Sequence, residues 1–333
     1  VLLQLVRVHI VALLAVVLLG ACSKEDRQEV TFYPMGGIPF TVKAYGVPKS
    51  LFEEGIAQIR TEVEHLESVL SAHIADSDVT ILNREHRAEI SPETLQVMEM
   101  AARISADTEG AFDITVGPVL DLWKFSEEQG RMPTQEEIDQ RIKSVDWRQV
   151  ALSSRGTATL KLNNMSVNLG GIAKGYIADR AAQLLKKKGI RRGIVDAGGD
   201  LVLFNSVGED PFSVGVKNPR NPDELFGVLS LDSGAVVTSG CYERQYRIGD
   251  KRVCHIIDPR TGQPASALES VTVVAEEAAT ADALATAAMV LGREKGMELI
   301  KSHPGAEVLM IWTAEGKLAW ELSPGLEGKL KVK

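Results

Sequence analysis

Residues 168–179 read Asn168-Leu169-Gly170-Gly171-Ile172-Ala173-Lys174-Gly175-Tyr176-Ile177-Ala178-Asp179. A glycine-rich turn runs directly into a helical stretch, residues 173–188, which Gly189 closes. Free backbone N–H groups at a helix start bind phosphate well, and glycine lets the ligand come close. The turn is not a Walker loop, since GK[ST] is absent, and it lacks the GxGxxG dinucleotide fingerprint. Taken alone, it also fits a tight strand-to-helix turn with no ligand.

The flanking elements follow readable periodicities. Ser50 with Glu53 reads as a capping box, and Ile56, Ile59, Val63, Leu66 and Leu70 keep helical spacing, predicting an amphipathic helix over 51–70. Ser91-Pro92 opens a second helix with proline at its favoured first position, and Gly110 lies just beyond its end. Thr134 and Glu137 form another capping box, opening a short helix to about Lys143. Residues 149–153 and 158–162 read as paired strands. Beyond the central helix, strands are predicted near 193–196, 201–204, 212–216, 226–231, 244–248, 252–257 and 270–275. Helices follow at about 280–291 and 294–302, and residues 306–322 form a hairpin turning at Glu315-Gly316. Runs of strands broken by occasional helices predict an α+β fold rather than a regular parallel α/β one.

At 333 residues the chain suits one large domain or two small ones. Hydrophobic content of 44% and charged content of 25% are ordinary for a globular protein. A net charge of −8, with both signs interspersed, argues against a nucleic-acid partner, which would call for a basic stripe. Three cysteines, Cys22, Cys241 and Cys254, are too few for a disulfide framework. One bridge between Cys241 and Cys254 and two separate thiols are both compatible with the sequence.

The N-terminal segment is a targeting signal. Arg7 supplies a short positive region, and residues 10–21 form an uncharged apolar run, too short for a comfortable membrane span. It ends in Leu19-Gly20-Ala21-Cys22, which resembles the bacterial lipobox. This predicts a lipoprotein signal peptide at 1–21 and lipidation of Cys22, with two or three acyl chains anchoring the protein. The alternative is an ordinary signal peptide in which Cys22 is incidental. Residues 22–30 then read as a polar tether and 31–333 as the folded body. The implied location is the periplasmic side of the cell envelope; Ser23 after the cysteine favours the outer membrane by the enteric sorting pattern.

Three further stretches carry chemistry. Asp196-Ala197-Gly198-Gly199-Asp200 lies between two apolar strands, suiting close approach of a ligand to backbone or, equally, a Gly-Gly bulge. In His255-Ile256-Ile257-Asp258-Pro259-Arg260-Thr261-Gly262, a strand-end histidine can serve as general base or support the turn. Asp282 and Thr286, four apart in a helix of small residues, share one face and offer oxygen ligands to a hard cation. They also fit a plain helix start, with Asp282 favoured by the helix dipole.

Residues 111–118 (AFDITVGP), the GGIAKGY and AGGD segments, Ser239-Gly240 with Tyr242 and Arg244, HIIDPRTG and DALAT occur in this order and spacing. The ordered set resembles the FAD:protein FMN transferase (ApbE-type) family from about residue 31 to the C-terminus. The resemblance implies an ApbE-like, T-fold-related α+β fold of mixed sheets with packed helices, with 31–333 as the catalytic domain. It implies Mg²⁺-dependent transfer of FMN from FAD to a Thr or Ser hydroxyl of a partner protein, releasing AMP. Met35, Ala111, Phe112 and Asp113 would line the FAD site, with Gly170, Lys174, Tyr176 and Ile257 as further contacts. Mg²⁺ would be held by the Ala173 carbonyl, the Asp282 carboxylate, the Thr286 hydroxyl and the Ala285 carbonyl, with His255 near the reacting phosphate. Partners would be periplasmic acceptor domains of membrane redox complexes, such as NADH:quinone reductase and related electron-transfer complexes. Two departures stand out: His73 occupies a flavin-stacking position where the family often has Tyr, and Asp196 stands where it often has Asn. Water as nucleophile would instead give an FAD pyrophosphatase, and loss of chemistry a flavin-binding lipoprotein.

Overall fold

The structure, a computed structural model, describes residues 26–333. The expected signal peptide at 1–21 and Cys22 lie outside the described residues. In chain order the elements are β1 (Arg27–Phe32), β2 (Phe40–Tyr45), α1 (Lys49–Leu70), α2 (Asp78–Glu85), β3 (Arg87–Glu89), α3 (Pro92–Asp107), α4 (Gly117–Gln129) and α5 (Gln135–Ile142). They continue with β4 (Val150–Leu152), β5 (Thr157–Leu160), α6 (Ala173–Lys187), β6 (Gly193–Ala197), β7 (Asp200–Phe204), β8 (Phe212–Asn218), β9 (Asn221–Leu231) and β10 (Gly234–Gly240). The last are β11 (Gln245–Ile248), β12 (Lys251–Cys254), β13 (Ser270–Ala275), α7 (Ala278–Lys301), β14 (Glu307–Ala314), β15 (Lys317–Leu322) and β16 (Leu330–Val332).

The principal sheet has eight strands in the order β1-β2-β6-β7-β10-β13-β14-β15, every ladder antiparallel. Side chains alternate between its two faces. On β14, Val308 and Met310 join the core beneath α6 and α7, while Leu309 and Ile311 join a second core under the small sheet β16-β9-β8. The strands are thus buried on both sides, by helices on one face and by a second sheet on the other. This is the expected α+β arrangement.

The central strand β10 and the elements β1, β2, α2, β3, α4 and β16 have no counterpart in the sequence reading. For β10 the reason is burial on both faces: Ala235, Val236 and Val237 are all buried, so period-2 alternation is absent. Strand β1 begins at Arg27, inside the segment read as a tether, because RQEVTF pairs with β2 in register from Arg27↔Tyr45 to Phe32↔Phe40. The Ser50–Glu53 capping box is not formed. Helix α1 starts at Lys49 with Pro48 at the N-cap, so Ser50 already lies within the first turn. The other two helix starts stand: Ser91 accepts from the Thr94 N–H, and Thr134 and Glu137 exchange both bonds of a capping box. The two C-terminal helices join end to end in α7, broken at Gly292, whose φ is 75°.

Helix α6 meets α7 backbone to backbone. A Cβ on Gly175 would lie 2.2 Å from the Ala278 carbonyl oxygen, so only glycine permits this approach. One turn on, Asp179 caps α7 from outside: its two carboxylate oxygens accept from the Ala278 and Ala279 N–H groups, both at 2.9 Å. Burial pushes the Asp179 carboxyl up to about 6, opposed by these two bonds. Gly175→Ala should destabilise the fold by about 3 kcal/mol or more, because the obstacle is main chain that cannot rotate away. Urea unfolding measures it; a change below about 0.5 kcal/mol, the size of a neutral surface substitution, would show that the helices can separate without cost.

Candidate active site

The α6–α7 contact brings the start of the glycine-rich helix beside the first turns of α7. Lys174 is the link. Its Nζ lies 2.5 Å from Asp200 Oδ2, at the first residue of β7, and 3.5 Å from Asp282 Oδ2 on α7. Both carboxylates are almost wholly buried, their side chains 3% and 4% exposed, whereas Lys174 is half-buried. Burial pushes Asp200 up to about 7; Lys174 opposes that rise and the charge of Asp282 adds to it. Burial also raises Asp282, against the pull of Lys174 and of the Gly175 N–H. Burial alone would lower Lys174, but the two carboxylates outweigh it and hold the ammonium protonated. Two buried carboxylates therefore share one cation.

Gly171 sits in the same corner. A Cβ there would be 3.2 Å from Phe112 Cε2 and 3.3 Å from Thr286 Oγ1, so the turn lies between the Phe112 ring and the Thr286 hydroxyl. The turn is shaped by Asn168, whose side-chain oxygen accepts from the Gly170 N–H at 2.8 Å. Ala173 opens α6, and Ala285 is buried beside Thr286 on α7. The loop carrying Met35 packs on the AGGD turn: the Gly198 N–H donates to the Pro39 carbonyl at 2.9 Å, and Ile38 fills the space above Gly198.

His255 stands at the rim. Cys241, just past β10, is bonded to Cys254 at the end of β12, so the bridge left open by the sequence is made. The disulfide closes the segment that contains Tyr242, Glu243 and Arg244 and leads straight into His255. His255 Nδ1 is 2.8 Å from the Arg244 carbonyl. A carbonyl only accepts, so in the neutral ring Nδ1 carries the hydrogen and Nε2 keeps a free lone pair. Burial lowers the histidine pKa; the Arg244 carbonyl bond opposes this, and the charges of Arg244 and Lys174 reinforce it. The ring is therefore neutral at neutral pH, as a base must be.

The other expected site residues have partners of their own or lie in loops. The Asp113 carboxylate is consumed locally, accepting from the Thr115 N–H and hydroxyl, both at 2.7 Å, and from the Trp147 N–H at 3.0 Å. Tyr176 is buried and donates its hydroxyl to Gln96 at 2.9 Å, on the face of α6 turned away from Lys174. Ile257 is buried in a separate cluster with Trp123 and Tyr246. His73 is exposed in the α1–α2 loop. Conversely, Asp200 and Asp179 organise the site, and the exposed Glu243 sits in the field of Lys174 and Asp200. Asp200 was visible as the last residue of AGGD and Asp179 as the last residue of the stretch 168–179, neither with a role assigned; nothing in the sequence marked Glu243. Among the described residues, no group of three or more His, Cys, Asp or Glu side chains is placed to hold a metal ion. A cation here would need backbone and hydroxyl oxygens as well.

The ApbE family model matches residues 36–310. An FAD:protein FMN transferase of Escherichia coli is 34% identical over 270 residues, covering 78% of this chain and 76% of the relative. One from Vibrio cholerae is 31% identical over 323 residues, covering 92% and 94%. Among solved structures, the ApbE protein of Thermotoga maritima superposes with a TM-score of 0.82 at 32% identity, over 91% of this chain and 99% of its own. The flavin transferase ApbE from Vibrio cholerae does so at 0.76 and 28%, over 91% and 99%. With a family model spanning most of its length and relatives above 30% identity along most of both chains, this chain belongs to the ApbE family.

Proposed function

We propose that the chain transfers FMN from FAD to a Thr or Ser hydroxyl of a partner protein, with Mg²⁺, releasing AMP. The observation that carries this reading is the meeting of the glycine-rich helix start with Asp282 and Thr286, in a chain whose relatives bear the name FAD:protein FMN transferase. FAD holds a pyrophosphate, and the glycine turn before α6, where no side chain stands at Gly171 between Phe112 and Thr286, suits close approach of its oxygens. The donor set also fits a hard cation: two buried carboxylates face one ammonium, leaving negative charge in excess, with the Thr286 hydroxyl and the Ala173 and Ala285 carbonyls as neutral oxygens. Bound there, Mg²⁺ would neutralise phosphate charge and make AMP a better leaving group.

The chain's own residues supply the rest. Lys174 holds Asp200 and Asp282 in place and lends a fixed positive charge next to the phosphates. His255 Nε2 takes the proton of the acceptor hydroxyl as its oxygen bonds to the FMN-side phosphorus and the bond from that phosphorus to the AMP oxygen breaks. Met35 and Phe112 belong to the loops at the flavin end, with Ala111 beside them. The acceptors we propose are periplasmic domains of membrane redox complexes such as NADH:quinone reductase, reached by a chain anchored through Cys22 on the periplasmic side of the envelope.

Incubation with FAD, Mg²⁺ and an acceptor domain, read by intact mass and in-gel flavin fluorescence, tests the reaction. AMP and free FMN with no labelled acceptor would make the protein a pyrophosphatase; FAD binding without turnover would make it a carrier. Asp282→Ala should abolish Mg²⁺-dependent transfer in a folded protein, while Thr286→Ala should be milder and partly rescued by excess Mg²⁺. Wild-type activity in Asp282→Ala would remove the metal assignment. His255→Ala should slow single-turnover transfer at saturating FAD by about 10²- to 10⁴-fold with FAD affinity retained. Because neutral histidine is the active form and its pKa is lowered, the rate should fall only as pH drops below the usual histidine value of about 6.5. An acid limb above that value would point to a different base. Finally, Cys22→Ser with the native leader should release the protein from the membrane fraction; unchanged retention would refute the anchor.

A further inference from the structure

The ribbon formed by β11 and β12 carries a charge arrangement that the fold does not use. Over residues 243–252, Arg244, Arg247, Lys251 and Arg252 are exposed and stand against two exposed carboxylates, Glu243 and Asp250, in a chain of net charge −8. In the ladder Arg247 lies directly opposite Arg252, and like charges so placed oppose strand pairing. None of the four makes an ion pair with a described residue. One further carboxylate approaches, Glu127, whose Oε1 accepts the Arg247 backbone N–H at 2.6 Å.

The ribbon is nevertheless held firmly. Tyr246 and Ile248, on the opposite face from Arg247, are buried in one cluster with Leu122 and Trp123. At its base the Cys241–Cys254 disulfide fixes the end of β12, and the Arg244 carbonyl bonds the His255 ring. A directly opposed pair of cations thus stands on a rigid strip beside the proposed base. Arg252 precedes His255 by three residues, about 10 Å of extended chain. That span matches a few residues of an extended peptide rather than the nucleotide.

We infer that the β11–β12 ribbon is the docking strip for the acceptor protein, recognising acidic side chains that flank the hydroxyl to be modified. The inference rests on the transferase reading, because a hydrolase needs no protein partner. Opposite charge along the strip raises the encounter rate and sets the direction in which the acceptor segment enters.

The test is the double substitution Arg247→Gln with Arg252→Gln, neither residue being part of the cleft. With the same acceptor domain as above, the KM for acceptor at low ionic strength should rise about tenfold, while kcat and FAD affinity stay unchanged. High salt should bring wild type down to the variant, since exposed charges are screened. Neutralising the Asp and Glu residues beside the acceptor's hydroxyl should reproduce the loss in wild type and add nothing in the variant. Transfer with an unchanged acceptor KM overturns the inference. So does a variant whose only defect is weaker binding to phosphatidylglycerol vesicles, which would make the strip a membrane-facing surface. If wild type transfers no flavin, calorimetry of the acceptor domain with the FAD-free protein decides separately. Charge-dependent binding would then uphold the docking strip although the transferase reading has failed, and absent or charge-independent binding would overturn it.

Discussion

Helices α6 and α7 touch backbone to backbone where Gly175 meets Ala278, and the placement of the charged groups in the cleft follows from that contact. Asp179 makes it directional. By accepting from the two N–H groups that open α7, it joins the helices through bonds that any sliding or rotation would break. Lys174, the residue before Gly175, is then carried to Asp282, and the Gly171 turn to Thr286. The antiparallel sheet beneath completes the arrangement, since the AGGD turn delivers Asp200 to the same ammonium at the start of β7.

That cluster is costly in isolation. Burying ionised groups costs several kcal/mol each, and a triad with two carboxylates and one ammonium leaves the negative excess uncompensated. Burial accordingly raises both aspartates, and Asp200 reaches about 7. A site of this kind is held ready for added positive charge. On the proposed reading, a divalent cation would supply it, held by Asp282 and the neutral oxygens around it. The energetic debt of the apo fold and the proposed affinity for metal and pyrophosphate are two sides of one charge distribution.

The rim opposite the triad is built differently, from a crosslink and a small apolar cluster. The turn after His255 is closed by Asp258, which accepts from the Arg260 guanidinium at 2.9 and 3.0 Å, and by the Gly262 carbonyl, which accepts from Trp123 Nε1 at 2.9 Å. The disulfide pins the other side of the histidine. His255 is thereby held by rigid supports on both flanks, which the proposed role as base would require for its lone pair to meet a hydroxyl in one orientation.

The helices with caps and period were legible from sequence: α3 and α5 by Ser91 and Thr134, α6 by its glycine turn, and the break in α7 at Gly292. So were the alternation of strands and helices that gave the α+β class, and the ordered motifs that pointed to the family. These depend on neighbours within a few residues. The central strand β10 was not legible, because burial on both faces erases alternation; nor was β1, read as a tether because it is polar and pairs only through β2. At the site, Gly171, Asp282, Thr286 and His255 were marked by local pattern, and Lys174 by the family resemblance, as an FAD contact rather than as the partner of Asp200 and Asp282. Tertiary structure alone decided that Asp113 spends its carboxylate on Thr115 and Trp147, that Tyr176 faces Gln96, that Cys241 and Cys254 join, and that Asp179 and Asp200 complete the cleft. Each of these depends on which elements meet across the fold. Sequence spacing sets which face of a helix a side chain occupies, but the partner on that face is chosen by packing between segments far apart in the chain.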